Sequence, residues 1–509
     1  MPSSYPCAII AAGELQCAVV LPQTQRGASA VTDNFQHYRS PLETRYASES
    51  MQRIWSDANR FGLWRRLWLA LAESQMELGL DIKSSQVQAM RDHLDDIDYE
   101  SAAAHEKRLR HDVMAHVHAF GEVAPEASGI IHLGATSQFV NCNAELMILR
   151  EAMQLIAAKT AAIVEAIGRF ADEWKALPTL GFTHYQPAQP VTVGRRAITW
   201  AQDFWLALED LEFRCSNLRF RGVRGATGTQ ASFLSLFDGD EAKVDQLDEL
   251  VTSKSGWPVD KRLPVTGQTY PRLVDAQITN TLAVLAAAIH KCATDIRLLS
   301  NRKEIEEPFG KSQIGSSAMP YKRNPMRCER ACGMSRFVMS LASSPLQTAS
   351  TQWFERTLDD SANRRLVLPE SFLALDGCLD IMREVLDGLV VYPETIRANL
   401  EAELPFMASE ELLMEAVRLG GDRQEVHEAI RRHAQEAAHQ VKSQGSSNDL
   451  IERLRGEPLM KGIDLDALMS PDRYVGRSVS QVDQFMKNVV SLVRGRYEDQ
   501  QVEVTPLHV

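Results

Sequence analysis

The sequence predicts an all-α fold of three helical domains around a central bundle of long helices, and three observations predict it. Apolar residues recur three and four apart over very long runs. Leu146, Leu149, Met153, Ile156, Ile163, Ile167, Phe170 and Trp174 cover more than four heptads, with Thr160 filling the one gap, which is about 45–50 Å of helix. No run of alternating polar and apolar residues competes as a strand. The 509 residues also exceed one small core, and length alone points to about three domains. Narrow seams of this length need partners beyond a small domain, so a bundle shared between subunits is expected.

In chain order, residues 1–38 show no sustained period and include the polar stretch Gln23–Ala30, so a poorly ordered extension is expected there. Residues 39–137 read as an N-terminal helical domain. Within it, Arg45-Tyr46-Ala47-Ser48 precedes a helix over Trp55–Leu80 that Gly79 closes. The segment Ala102–Val123 is crowded with charge and histidine and reads as a solvated helix with i,i+4 pairs. His111 and His116 lie five apart, on different helix faces, so this is a poor metal site. His132-Leu133-Gly134-Ala135-Thr136-Ser137 is a turn of small and hydroxyl residues before a long helix, suited to holding anions on free backbone N–H groups.

Residues 138–391 form the long-helix domain. Its first helix stops at Leu177-Pro178. Val193, Ala197, Trp200, Phe204, Leu208, Leu211, Cys215 and Leu218 mark a second helix, and Ile278 to Leu299 a third with strict four/three alternation. Leu375, Cys378, Met382, Val385 and Leu389 continue the pattern after Asp360. Residues 392–509 carry shorter helices, and Ser478-x-x-Gln481 reads as a capping box for the last one.

The net charge of -12 leaves no basic excess for general nucleic-acid or membrane-surface binding, although a local cationic pocket is still compatible with it. The eight cysteines are scattered without a C-x-x-C pair, which favours free thiols in a reducing compartment. No Lys or Arg precedes Arg26, and the apolar run Cys7–Leu21 is broken by Glu14 and Gln16, so the expected location is the cytoplasm.

Five polar segments interrupt the seams. Gly315-Ser316-Ser317-Ala318-Met319-Pro320-Tyr321-Lys322-Arg323-Asn324-Pro325 combines two hydroxyls with two cations that would stabilise an alkoxide. On composition alone, the commoner reading of such a loop is a connector. Thr183-His184-Tyr185-Gln186-Pro187-Ala188-Gln189-Pro190 sets a histidine among polar side chains and stiffening prolines, which suits an oriented acid or base as well as a structural histidine. Arg219–Gln230 holds three arginines and three glycines but matches no nucleotide fingerprint. Gln268, in Thr266–Tyr270, binds substrate or caps the next helix, and both readings stand. In Trp353–Arg365, Arg356, Ser361 and Arg365 suit one phosphate, while Glu355, Asp359 and Asp360 suit an ion-paired loop.

These segments carry a resemblance. Gly315–Pro325, Thr183–Gln189 and His132–Ser137 resemble the site segments of the fumarase/aspartase superfamily of fumarate-forming lyases. Arg45–Ser48, Lys107–Asp112, Gly225–Gln230, Gln352–Arg365 and Leu404–Ala408 are similar to the adenylosuccinate lyase family of the animal type. The resemblance runs from about Arg39 into the C-terminal region. It implies elimination of fumarate from adenylosuccinate and from SAICAR, with no metal or organic cofactor. It also implies a homotetramer with a multi-helix core and active sites shared between three subunits. Carried over by motif, Ser316 is the base and His184 the acid. Lys322 and Asn324 stabilise the developing carboxylate charge, and Thr136, Ser137 and Ser317 grip the succinyl carboxylates. His111, Gln268 and Thr183 lie near the reacting centre, with Arg110 and Asp112 on the same turn as His111 and Asp112 orienting it. Arg45, Tyr46, Arg356, Ser361 and Arg365 make the phosphate site, and Arg330 is a further substrate contact. Two rivals are weighed against this reading. An argininosuccinate lyase would leave Arg45, Arg356 and Arg365 without a phosphate. A non-catalytic helical scaffold would need none of Ser316, His184, Lys322 and Asn324.

Overall fold

The computed structural model describes residues 36–310 and 312–500. Most of the expected N-terminal extension, through residue 35, therefore lies outside the described residues. The chain divides into two units, Met1–Pro41 and Leu42–Val509, and everything below concerns the second.

Five helices make the bundle: α1 (Ser137–Glu173), α2 (Val193–Ser216), α3 (Leu273–Asn301), α4 (Met326–Leu341) and α5 (Asp360–Asp387). Packing runs α1 on α2, α2 on α3, α3 on α4, α4 on α5 and α5 back on α1. The seam of α1 is the core of this ring, with Leu146, Leu149, Met153, Ile156, Ile163 and Ile167 all fully buried. Thr160 in the seam's gap is buried too, its hydroxyl donating to the Ile156 carbonyl at 2.7 Å, which satisfies the polar group within the seam. The helix is longer than the seam. It spans 37 residues, about 55 Å, because the buried Phe139 and Cys142 extend the three/four spacing back toward Ser137, beside a polar stripe of Gln138, Asn141 and Glu145. α4 has no comparable seam and was not apparent from the sequence.

Ion pairs and ring contacts fix the direction of each helix. Arg364 near the start of α5 pairs with Glu145 in the first turns of α1 (2.5 Å) and Asp275 in the first turn of α3 (2.6 Å). Arg169 near the end of α1 pairs with Asp387 at the end of α5 (2.8 Å). Arg302, just beyond α3, stacks over Phe182 in the connection between α1 and α2. Arg327 at the start of α4 pairs with Glu384 of α5 (2.8 Å). The starts of α1, α3 and α5 thus share one end of the bundle, the upper end, and their C-termini share the lower end with the starts of α2 and α4.

The sequence expectations need two corrections. The charged segment Ala102–Val123 is two helices, Tyr99–Leu109 and Asp112–Val123, parted by Arg110 in the left-handed region (φ 52°). Tyr99–Leu109 is solvated as expected, with Ala102 its only buried residue, but the second helix is not: His116 within it is buried and stacked on Phe61 at 3.8 Å. Ser478 caps nothing with its side chain: it is the first residue inside Ser478–Phe485, and its hydroxyl donates backwards to the Val475 carbonyl. The helix over Trp55–Leu80 appears as Asp57–Glu77, with Gly79 at φ 92° just beyond it.

Toward the C-terminus a second apolar cluster, including Leu412, Ala416, Val426, Ile430, Leu450, Leu454 and Leu468, packs on itself. The chain then returns: Val482, Val490 and Val493 join the bundle core, and the helices bearing them lie on α1 and α2. Among the described residues no helix is long and apolar enough to cross a membrane.

Candidate active site

The upper end gathers several of the expected site segments. Thr136 precedes α1 in extended conformation without a side-chain cap, so Ser137 starts a helix whose first N–H groups face outward from the bundle end. Gly267 lies flat against the backbone of Glu355, and the N–H of Gln268 donates to the Glu355 carbonyl at 3.0 Å. The Gln268 side chain donates to the Ala226 carbonyl at 3.1 Å. Segment 266–268 is thereby joined to 353–356 through its backbone and to 225–230 through the Gln268 side chain. His111 caps Asp112–Val123, with Nδ1 accepting from the Met114 N–H at 3.3 Å. Asp112 does not orient it: the two side chains are 3.8 Å apart, and Asp112 Oδ2 instead accepts from Arg365 at 3.0 Å. That pair ties the His111 turn to the start of α5.

Beside these segments lies a cleft of about 390 Å³ whose lining includes Arg356, Ser361 and Arg365. Its floor is a network of buried charge. Asp360 accepts from Arg272 (2.6 Å) and Arg356 (2.7 Å), and Arg364 pairs with Asp275 and Glu145. Tyr270 donates to Asp275 at 2.7 Å. Burial alone would raise the Asp360 carboxyl, but Arg272 and Arg356 hold it below the usual range. Burial likewise works against the Arg364 guanidinium, and Asp275 and Glu145 more than offset it. Both readings of Trp353–Arg365 therefore describe part of it: the arginines converge on one cleft, and Arg356 is also ion-paired.

His132 sits behind the His111 turn. Trp68 Nε1 donates to its Nδ1 at 2.8 Å, which fixes the proton of the neutral ring on Nε2. Burial, aided by the nearby His111 charge, pushes this ring down to about 4.

The lower end holds the other half of the expected machinery. Phe182–Thr183 pairs with Gln186–Pro187 in a hairpin, and His184 and Tyr185 form its two-residue turn at φ 52° and 57°. Such a turn favours glycine or asparagine, so placing histidine and tyrosine there is a local strain. It leaves Thr183 and His184 exposed at the tip. The 315–325 loop hangs between Ile305–Glu306 and α4. Its base is pinched: a Cβ on Gly315 would lie 2.1 Å from the Lys322 carbonyl oxygen, and Asn324 Nδ2 donates to the Gly315 carbonyl at 2.8 Å. Ser316 Oγ accepts from the N–H groups of Ala318 (3.4 Å) and Met319 (3.2 Å). Ser317 and Lys322 are exposed, and Arg330 is half-buried on α4. Glu307 anchors the loop's start, its buried carboxylate accepting the N–H groups of Arg327 and Cys328, both at 3.0 Å, where α4 begins.

Arg45 and Tyr46 belong to neither end. They lie on the Leu42–Tyr46 turn, which rests on the middle of α5 at Gly377. The sequence reading missed Gln138, Asn141, Glu145, Arg60, Arg272 and Arg364, all of which line the cleft. Gln138, Asn141 and Glu145 were visible in principle, as a polar stripe at helical spacing preceding the apolar seam. Arg364 was hidden by its neighbour Arg365, which points outward one residue further around the helix. Among the described residues no group of three or more His, Cys, Asp or Glu side chains is placed to hold a metal ion.

Comparison with known proteins adds the following. A family model described as lyase matches residues 35–340, and one described as adenylosuccinate lyase C-terminus matches residues 405–485. The chain is 50% identical over 463 residues to adenylosuccinate lyase of Saccharomyces cerevisiae, covering 90% of this chain and 96% of that one. It is 48% identical over 471 residues to that of Schistosoma mansoni, covering 92% and 98%. For Pyrococcus abyssi the figures are 33% over 465 residues, covering 89% and 97%. Two solved structures share the fold. A fumarate lyase from Mesorhizobium sp. BNC1 has TM-score 0.74 at 23% identity, covering 87% of this chain and 99% of that one. A 3-carboxy-cis,cis-muconate lactonizing enzyme from Pseudomonas putida has TM-score 0.75 at 24% identity, covering 90% and 99%.

Proposed function

The chain belongs to the adenylosuccinate lyase family, and from that premise we propose how its residues carry out the elimination. The enzyme is a C–N lyase of purine biosynthesis. It releases fumarate from adenylosuccinate, leaving AMP, and from SAICAR, leaving AICAR. Ser316 removes the proton from the carbon beside a succinyl carboxylate, giving a doubly negative intermediate. His184 then protonates the departing nitrogen as the C–N bond breaks. A serine hydroxyl is a weak base, and its alkoxide needs help. The N–H groups of Ala318 and Met319 already point at Ser316 Oγ, and loop closure over substrate would exclude water and bring Lys322 near. Lys322 and Asn324 stabilise the charge on the carboxylate, Asn324 exchanging its bond to Gly315 for the substrate. Thr136, Ser137 and Ser317 grip the carboxylates, with Thr183 beside His184. His111, Gln268, Arg110 and Asp112 surround the reacting centre, Arg330 adds a contact, and Arg356, Ser361 and Arg365 of one chain receive the phosphate together with Arg45 and Tyr46 of another.

One observation carries the assembly of this site. Within a single chain, Thr136, Ser137, His111 and Gln268 lie at the upper end, whereas His184 and the Ser316 loop lie at the lower end. The length of α1, about 55 Å, separates them, far more than one nucleotide-sized substrate spans. The two halves meet only if neighbouring chains run antiparallel, upper end against lower end. Exposed apolar side chains along the bundle, namely Leu206, Phe213, Val284, Leu298 and Phe337, supply a surface for that contact. A homotetramer with shared sites is the assembly we propose. The direct test of activity is fumarate release measured by absorbance. Purified protein is expected to turn over adenylosuccinate and SAICAR, and not argininosuccinate or malate. No turnover of adenylosuccinate by the intact oligomer would overturn the activity.

A further inference from the structure

Deep in the bundle, away from both ends, one ammonium and two carboxylates are buried together. Lys159 of α1 lies 2.5 Å from Asp376 Oδ1 and 2.7 Å from Asp380 Oδ1, both on α5 one turn apart. None of the three side chains is more than 6% exposed. Burying such a group costs more than apolar packing of the same volume would, so its retention calls for a role beyond filling space. The two carboxylates are not equivalent. Asp376 Oδ2 also accepts the backbone N–H of Ser48 at 2.6 Å, a charge-assisted bond to a residue 328 positions away. Asp380 has no such second partner: its Oδ2 is buried without a hydrogen bond. Burial pushes the Asp380 carboxyl up to about 6, opposed by Lys159 and reinforced by the Asp376 charge.

Ser48 ends the segment that carries Arg45 and Tyr46. Its hydroxyl caps Glu49–Ile54 by accepting from the Met51 N–H, and Gln52 donates to the carbonyls of Glu43 and Ala47. One residue beyond Asp376, Gly377 lets the Tyr46 carbonyl lie against α5, where a Cβ would come within 2.8 Å of that oxygen. The segment is therefore docked by its backbone on Asp376 and Gly377, which leaves the Arg45 and Tyr46 side chains free to meet a ligand.

We propose that Asp376, held in place by Lys159, is a positioning residue for the phosphate end of the substrate, fixing the Leu42–Ser48 segment that presents Arg45 and Tyr46. The inference rests on the reading of that segment as phosphate-binding. Asp376→Asn and Asp380→Asn remove one charge each from the same triad, on the same helix, but only the first weakens the acceptor for Ser48. Asp376→Asn is expected to raise KM for adenylosuccinate and the inhibition constant of AMP about tenfold. Its kcat, and the inhibition constant of fumarate, which has no phosphate, should change less than about threefold. Asp380→Asn should leave KM within about twofold. Ser48→Pro deletes the N–H at a φ of -64° that a proline ring meets, leaves the triad intact, and should reproduce the KM shift even if Asp376→Asn folds poorly. It also removes the hydroxyl cap, so Ser48→Ala, which loses the cap but keeps the N–H, serves as its control and should leave KM within about twofold. Equal KM shifts in the two Asp variants, or a loss confined to kcat, would overturn the positioning role. Arg45→Ala separates the two ideas: if it leaves KM and AMP inhibition unchanged, the segment does not bind phosphate, whatever Asp376 does.

Discussion

At the scale of single residues, burial divides four of the thirteen histidines into two pairs. His111 and His184 sit at exposed caps and turns, where chemistry can reach them. His116 and His132 are packed against Phe61 and Trp68, and burial, before any neighbouring charge, holds both down at about 4 against an ordinary value of 6.5. The unfolded chain therefore binds protons at these sites below pH 6.5 that the folded chain refuses. Their contribution to stability is complete above pH 6.5 and is lost progressively as the pH falls toward 4. Each ring should lower the unfolding free energy by up to about 1 kcal/mol per pH unit in that window, after allowance for partial exposure. Chemical denaturation at pH 7.5 and 5 measures the slope. His132→Asn keeps an acceptor for Trp68 but cannot titrate, so its slope should be shallower. Equal slopes in the variant and the parent would rule this account out. The sequence placed His111 and His116 on different helix faces but did not show the difference in burial: both follow the break at Arg110, His111 as the exposed cap of Asp112–Val123 and His116 on its buried face.

At the scale of elements, the long helices were legible because their seams run three and four apart almost without interruption; α3 contains the whole expected stretch, while α1, α2 and α5 stop short of its last residue, at Trp174, Leu218 and Leu389. α4 was not, since Cys328, Ala331, Cys332 and Ser335 keep the helical spacing with side chains too small to stand out as an apolar seam, and Val338 is the only larger buried one. The site segments were legible by residue type, but their connections were not: nothing local says that Gly267 rests on Glu355 or that Arg365 reaches Asp112. The Ser316 loop shows how an element's geometry can be tested. Its base closes because Gly315 and the Lys322 carbonyl occupy space that any Cβ would fill, with the Phe309 ring 3.1 Å away on the other side. Gly315→Ala must open that pinch, moving Ser316 relative to Lys322 and Asn324. We expect kcat to fall at least about tenfold, equivalent to about 1.4 kcal/mol of transition-state stabilisation. The midpoint of thermal unfolding should stay within about 2 °C, because the loop contributes little to the core. Unchanged kcat in this variant would mean that the closed base has no part in catalysis.

At the scale of the whole molecule, the bundle is a spacer as much as a core. α1 starts at Ser137, which we propose grips a succinyl carboxylate, and leads, at its end, into the hairpin that presents His184. A chain with one rigid helix of 37 residues between them cannot fold its own halves together. The sequence contained every residue of the site but not this separation, which follows only from the directions that Arg364, Arg169 and Arg302 impose on the helices. If sites are built from different chains, damage to the two halves should complement. A Ser316→Ala oligomer lacks the base in every site, and a His111→Ala oligomer lacks an upper-end contact in every site. After mixing under conditions that exchange subunits, some sites draw their loop from one parent and their upper end from the other, and these are intact. With random mixing in equal amounts, a site drawing those two segments from different chains is wild-type in about one case in four, so activity should return to roughly a quarter of the parent's. Subunit exchange is verified separately, by a size or charge tag on one variant. Exchange without recovered activity would mean that each site takes both segments from a single chain, and the antiparallel arrangement would fall with it.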